Sequence, residues 1–156
     1  MKVKFKSSLL TFLILVIIGI LLFFNYYYFK LAPTMLYDSE DQEILELFEV
    51  NNNLYDLKLE SRYAFNDVYY SAVDEEYIYF FLTNGNLVLS EDKSKLNYDK
   101  VLNIADTMFN GLDNNIYLSI YKKQPVYVIV NEDYDIFIDF DSYEEVFRFR
   151  KGISDE

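Results

Sequence analysis

The sequence predicts an α+β protein in which an N-terminal transmembrane helix precedes two small units, each a helix on an antiparallel sheet. Two observations lead to this prediction. Residues 7–29 carry no charge and are mostly apolar. Beyond residue 38, a helix signal followed by strands of alternating apolar and polar residues occurs twice, in about 55 residues each time. The chain of 156 residues has room for two such units only if both are very small.

The N-terminal stretch has the length and flanking charge of a membrane span. Three alternating lysines lie within residues 1–6. The roughly 21 residues of the range 9–29 rise about 31 Å as a helix, which matches the hydrocarbon core of a bilayer. The positive-inside rule places the lysines in the cytoplasm. We therefore expect a cytoplasmic tail over 1–6, a single-pass helix over 7–29, and an extracellular C-terminal domain at the cell membrane.

A cleaved signal peptide is the alternative interpretation of this stretch. The only small residue placed for cleavage is Ala32. Lys30 lies two residues before it and Pro33 directly follows it, and both are unfavourable for signal peptidase. We therefore expect the helix to be retained, with residues 30–38 as a linker.

The first unit is predicted over residues 39–92. Ser39 and Gln42 stand in a capping-box relation, in which the hydroxyl and the amide each satisfy a backbone N–H at the helix start. This predicts a helix over 39–50, followed by antiparallel strands. Asn84-Gly85-Asn86 is a hairpin turn signal within these strands.

The second unit is predicted over residues 93–152. Val101, Ala105 and Met108 lie at helical spacing and predict a helix over 97–110. Alternating strands follow between 116 and 140, and a short strand is expected near 146–150.

Composition argues against most enzyme classes. The chain has no His and no Cys, which removes thiol chemistry, imidazole triads and the usual zinc sites. The formal charge of −12 disfavours nucleic acid, because phosphate binding needs clustered Lys and Arg. Gly85, Gly111 and Gly152 stand alone, so no phosphate-binding loop is present. We expect no enzyme activity, no cofactor and no small-molecule substrate.

Acidic residues near the C-terminus are the only candidate metal ligands. They are Asp133, Asp135, Asp139, Asp141 and Glu144. Their spacing lacks the Asp-x-Asp-x-Asp-Gly pattern of a calcium loop. Asp135 and Asp139 alternate with isoleucines, which is typical of the solvated side of a strand. We expect no metal site here.

Three segments of the second unit resemble a known family. Residues 98–106 (YDKVLNIAD) resemble its acidic and basic helix with Ile-Ala near the middle, and 124–130 (QPVYVIV) resembles its Pro-Val-Tyr/Trp-x-Val strand. Residues 136–145 (IFIDFDSYEE) resemble its Tyr-x-Asp-x-x-Thr-Gly-Glu segment, with Ser142-Tyr143 in place of Thr-Gly. The family is the TseB-like cell-wall elongation regulators of Gram-positive bacteria, which carry tandem cystatin-like domains related to PepSY.

The resemblance implies two cystatin-like (PepSY-like) units and a non-enzymatic accessory function. Proteins of this kind associate with a transpeptidase-type penicillin-binding protein at the outer face of the membrane. PepSY relatives suggest an alternative, which is inhibition or regulation of a secreted or membrane peptidase. A structural scaffold is the third interpretation.

Strand parity predicts a partner-binding face on the second unit. If the aliphatic sets of three strands cover the helix, the remaining side chains share the opposite face. Exposed together, they would form an apolar patch that binds a protein partner. The alternative is that the first unit or neighbouring strands cover this face. The predicted face consists of Tyr117, Tyr121, Tyr127, Ile129 and Phe137.

Overall fold

The structure, a computed structural model, describes residues 2–27, 32–109 and 115–152. The chain divides into two compact units, Met1–Glu43 and Ile44–Glu156, and the second contains every strand. The helices are α1 (Lys2–Tyr26), α2 (Ala32–Asn52) and α3 (Tyr98–Phe109). The strands are β1 (Lys58–Ala64), β2 (Val68–Val73), β3 (Tyr77–Leu82), β4 (Leu87–Asp92), β5 (Asn115–Tyr121), β6 (Gln124–Val130), β7 (Tyr134–Asp139) and β8 (Glu145–Arg150).

The predicted α+β class is confirmed, but the predicted transmembrane helix over 7–29 is contradicted. Helix α1 ends at Tyr26, three residues before the predicted span does. Of the range 9–29 from which the span was predicted, α1 contains 9–26, which rise about 27 Å, compared with about 30 Å of hydrocarbon. Residues 28 and 29 lie outside the described residues. Within the residues that the structure describes, no helix is both long and apolar enough to cross a membrane.

Helix α2 begins earlier than the capping signal at Ser39 predicts. Residues 32–38, which were predicted as a linker, are helical, whereas 30 and 31 lie outside the described residues. Pro33 lies in the first turn of α2, where a helix leaves backbone N–H groups without an intrahelical partner anyway. A proline there is compatible with the helix, so the helix can start before Ser39.

The first sheet has the order β1-β2-β3-β4, and all its pairs are antiparallel. Successive residues of β3 point to opposite faces of this sheet, and both sets are buried. Phe81 packs on α2, where its ring stacks on Phe48 with a centroid distance of 4.0 Å. Ile78 and Phe80 point to the other side, into the core that contains α3.

The second sheet has the order β5-β6-β7-β8 and is also antiparallel. One face packs on α3, whose Val101 and Ala105 are fully buried. Leu118 and Ile138 of this sheet lie in the same core cluster as Phe80 of the first sheet. The two sheets therefore share one hydrophobic core.

Strands β1 and β5 are the edges at which the two sheets meet. The Ser61 hydroxyl donates a hydrogen bond to the Leu118 carbonyl at 3.0 Å and accepts one from the Leu118 N–H at 2.9 Å. The Ser71 hydroxyl lies 2.9 Å from the Ser61 oxygen. Because the Ser61 proton is already donated to Leu118, Ser71 is the donor of this hydrogen bond and Ser61 accepts it with its remaining lone pair. One side chain thus satisfies both backbone groups of Leu118, which β6 leaves without partners.

Gly85, in the turn between β3 and β4, lies in close contact with α2. Its φ of +73° lies in the left-handed region, and an added Cβ would lie 2.8 Å from Asn51 Nδ2 and 3.0 Å from Leu47 Cγ of α2. Because backbone strain and crowding act together, we expect Gly85→Ala to lower the free energy of unfolding by about 1–3 kcal/mol. Urea unfolding followed by circular dichroism measures this.

The matched control is Gly152→Ala, because a Cβ there meets nothing within 4 Å. It should change the free energy of unfolding by less than about 0.5 kcal/mol. Equal effects of the two substitutions would contradict the close contact between the turn and α2.

Candidate functional site: an aromatic face on the second sheet

The structure divides the five predicted partner-binding residues between two faces. Tyr117, Tyr121 and Phe137 lie on the face away from α3, whereas Tyr127 and Ile129 belong to the core cluster that contains α3. The prediction that these five side chains share one face is therefore wrong.

The register of the β5–β6 hairpin explains this difference. A two-residue turn, Lys122-Lys123, joins the strands and pairs Tyr121 with Gln124. Leu118 consequently lies opposite Tyr127, and directly opposite residues share a face. An aliphatic strand residue and an aromatic one thus point to the same side.

Tyr127 is a core residue with a structural hydrogen bond. It is fully buried, its ring stacks on Phe140 at 4.9 Å, and its hydroxyl oxygen accepts a hydrogen bond from the Asn97 N–H at 2.9 Å. Asn97 precedes α3, so this bond fixes the start of that helix. Burial raises the pKa of Tyr127 to about 12, because the phenolate would be poorly solvated.

The face away from α3 carries a continuous cluster of aromatic rings. Phe137 lies at its centre, with ring centroids 5.3 Å from Tyr121 and 5.4 Å from Phe147. Tyr121 and Phe147 stack on each other at 5.1 Å. We call this surface the aromatic face; it consists of Tyr63, Phe65, Tyr117, Tyr121, Phe137, Phe147 and Phe149.

The first sheet covers one side of the aromatic face. The Tyr63 ring lies 5.8 Å from both Tyr117 and Phe137, and Phe65 lies 5.2 Å from Phe137. Phe137 is therefore buried. For this residue the structure shows the alternative named above, in which neighbouring strands cover the face.

A hydrogen bond holds this cover in place. The Tyr63 hydroxyl donates to Asp135 Oδ2 at 2.9 Å, and Lys151 Nζ lies 3.0 Å from Asp135 Oδ1. Burial raises the pKa of the Tyr63 hydroxyl well above its usual range, and the neighbouring Asp135 carboxylate raises it further. Tyr63 therefore remains a neutral donor at physiological pH.

Two rings of the aromatic face remain accessible to a partner. Phe65 is 36% exposed and Phe149 is 42% exposed, and their centroids are 5.5 Å apart. Phe65 also lies 5.6 Å from Phe147, so the exposed pair rests on the buried cluster. Large rigid aromatic side chains at the surface are typical of protein interfaces.

Lys93 lines two further grooves, of about 420 and 410 Å³. Asp74, which lines the second of them, accepts hydrogen bonds from the Tyr77 N–H at 2.6 Å and from the Tyr79 hydroxyl at 2.7 Å. Burial alone would raise the pKa of Asp74, but these bonds and that from the Glu76 N–H lower it below its usual range. The Asp74 carboxylate therefore shapes the β2–β3 turn.

The acidic residues near the C-terminus are likewise used by the fold. Asp139 Oδ1 accepts hydrogen bonds from the Ser142 and Asp141 N–H groups, and Asp135 bonds to Tyr63. In the part of the chain that the structure describes, no three acidic, His or Cys side chains are grouped to hold a metal ion.

The sequence prediction missed Tyr63, Phe65, Phe147 and Phe149 as members of this face. The phenylalanines at 147 and 149 alternate with arginines, so their common face could have been found from strand periodicity. Tyr63 meets Asp135 across 72 residues of sequence, and no local pattern signals such a contact.

Comparison of the chain with protein-family models, with curated proteins and with solved structures finds no match. The resemblance to TseB-like regulators is thus not tested by any relative and stays a prediction.

Tyr127 gives a prediction about alkaline stability. A buried tyrosine whose pKa is about 12, against about 10 when unfolded, contributes stability that is complete below pH 10 and is lost as the pH rises towards 12. We expect Tyr127→Phe to make the free energy of unfolding depend less steeply on pH between 10 and 12. At pH 7 it should lower that free energy by about 0.5–1.5 kcal/mol, because the Asn97 N–H loses its acceptor.

Urea unfolding across this pH range provides the measurement, and Tyr55→Phe, at a residue that is 76% exposed, is the control. An unchanged pH dependence in Tyr127→Phe would show that Tyr127 is not protected by burial.

Proposed function

We propose that this chain is a non-enzymatic accessory protein that binds another protein through the aromatic face. The observation that carries the proposal is the exposed pair Phe65 and Phe149, which rests on a rigid aromatic cluster. Such a pair offers apolar contact area with little loss of side-chain entropy on binding, because the rings are already packed on one side.

The composition supports a binding role. The chain lacks His and Cys, and Asp74, one of the carboxylates that line the grooves at Lys93, accepts backbone hydrogen bonds from its own turn. An acidic chain of net charge −12 is suited to remain soluble while it presents a small apolar surface.

The proposed partner is a penicillin-binding protein of cell-wall elongation, outside the cytoplasm of a Gram-positive bacterium. This partner class comes from the sequence resemblance alone. The predicted extracytoplasmic location is part of the same proposal. If the chain is instead a PepSY-type regulator, its partner would be a secreted or membrane peptidase. If it is a structural scaffold, its partner would not be an enzyme.

Replacement of the exposed rings tests the proposal. We expect Phe65→Ser with Phe149→Ser to reduce the partner recovered by cross-linking in intact cells at least tenfold, which is about 1.4 kcal/mol of binding free energy. Each ring is more than half buried, so the two substitutions together should lower the free energy of unfolding by about 2–4 kcal/mol. Circular dichroism at the growth temperature should show that the variant is folded, so that a loss of partner does not come from unfolding. Quantitative mass spectrometry of the cross-linked proteins identifies the partner.

The control pair is Val50→Ser with Tyr55→Ser, which removes two exposed apolar side chains outside the aromatic face. Recovery of the same partner at the wild-type level from the Phe65 and Phe149 variant would contradict the proposal. An equal loss in both pairs would do the same, since the effect would then not belong to this face.

A further inference from the structure

The two sheets of the second unit have outer edges that could take another strand. Among the strands that the structure describes, β4 and β8 each pair on one side only, whereas β1 and β5 meet at Ser61. An exposed edge presents backbone N–H and C=O groups that can pair with a strand of another molecule.

The ladder shows which residues of β8 direct their backbone groups outwards. The Lys151 N–H donates to the Asp133 carbonyl at 2.8 Å, and Phe149 lies opposite Asp135 in the same register. Alternate residues of an antiparallel strand bond to its neighbour, so those between them face away from it. Arg148 and Arg150 therefore present their N–H and C=O groups at the outer edge.

The same reasoning applies to β4. The Lys93 N–H donates to the Glu76 carbonyl at 2.8 Å, and Glu91 lies opposite Ile78 in the same register. Ser90 and Asp92 therefore direct their backbone groups to the outer edge of the first sheet.

The two outer edges carry opposite charge. Strand β8 carries Arg148, Arg150 and Glu145, whereas β4 carries Glu91 and Asp92. Arg148 is ion-paired with Glu145 at 2.6 Å, and Glu91 is ion-paired with Lys95 at 2.7 Å. The exposed charges without an ion pair among the described residues are therefore Arg150 on β8 and Asp92 on β4. Pairing of β8 with β4 brings together the two unpaired charges of opposite sign, Arg150 and Asp92, whereas pairing of either edge with a second copy of itself brings together two charges of the same sign.

Apolar side chains accompany these charges on both edges. Val146 of β8 and Leu87 and Val88 of β4 are exposed. Pairing of β8 with β4 would bury apolar side chains from both strands. Both strands are six residues long and already folded as strands, so no ordering of a flexible segment is needed.

We propose that the outer edge of β8 pairs with the outer edge of β4 from a second copy of this chain. This contact is distinct from the proposed binding of another protein by the aromatic face, because it uses backbone edges. It joins two different surfaces, so it is heterologous and extends head to tail into chains or rings.

Charge-swap variants of the full-length chain test this inference by sedimentation. A non-ionic detergent is included because α1 exposes many apolar side chains. The first variant, Arg148→Glu with Arg150→Glu, makes the β8 edge acidic. The second, Ser90→Lys with Asp92→Lys, makes the β4 edge basic. We expect wild type to associate increasingly with concentration, and each variant alone to associate at least tenfold more weakly.

An equimolar mixture of the two variants should regain association, because the acidic β8 edge of one then meets the basic β4 edge of the other. The control for the first variant is Lys122→Glu with Lys123→Glu, which changes the net charge by the same amount at the β5–β6 turn and should associate like wild type. Arg150→Pro is an independent variant, since it removes an outward N–H without removing a β7–β8 hydrogen bond, and it should weaken association. Circular dichroism confirms that each variant is folded.

Wild type that stays monomeric at all concentrations would overturn the inference. So would variants that associate as wild type does, a mixture that does not regain association, or an equal loss in the turn control.

Discussion

The arrangement of the second unit depends on the Ser61 hydroxyl between β1 and β5. Leu118 is fully buried, and its N–H and C=O point out of the second sheet towards β1. A buried backbone group without a partner costs about 1–3 kcal/mol, and here two such groups are satisfied by one side chain. Ser71 completes the hydrogen bonding of that side chain, so the contact leaves no polar atom of the Ser61 hydroxyl unused.

This contact determines which surfaces the molecule presents. Because β1 and β5 are engaged with each other, the outer strands β4 and β8 are left as the open edges. The end of β1 is carried over the second sheet, where Tyr63 bonds to Asp135 and covers Phe137. Tyr63 and Phe137 are thereby buried, Tyr117, Tyr121 and Phe147 are half-buried, and Phe65 and Phe149 are left as the exposed rings of the aromatic face.

The features that could be predicted from the sequence are those that depend on local periodicity, namely the positions of helices and strands. Helix α3 and the strands of the second sheet were located because apolar residues recur at three-to-four- and two-residue spacing. The face assignments of Tyr127 and Ile129 failed because the register depends on the length of the turn at Lys122-Lys123, and a shift of one residue inverts a face. The predicted positions of the start of α2 and the end of α1 were wrong, because capping residues and apolar runs mark helix boundaries only approximately. The aromatic face could not be completed because Phe65 and Phe149 meet through tertiary structure.

Amide hydrogen exchange at Leu118 tests most directly whether Ser61 joins the two sheets. In wild type, the Leu118 amide should exchange as slowly as that of Val128 in the interior strand β6. In Ser61→Ala it should exchange roughly tenfold faster relative to Val128, whereas the exposed-strand control Ser90→Ala should leave the ratio unchanged. A Leu118 amide that exchanges rapidly in wild type, or that keeps its protection in Ser61→Ala, would contradict this account.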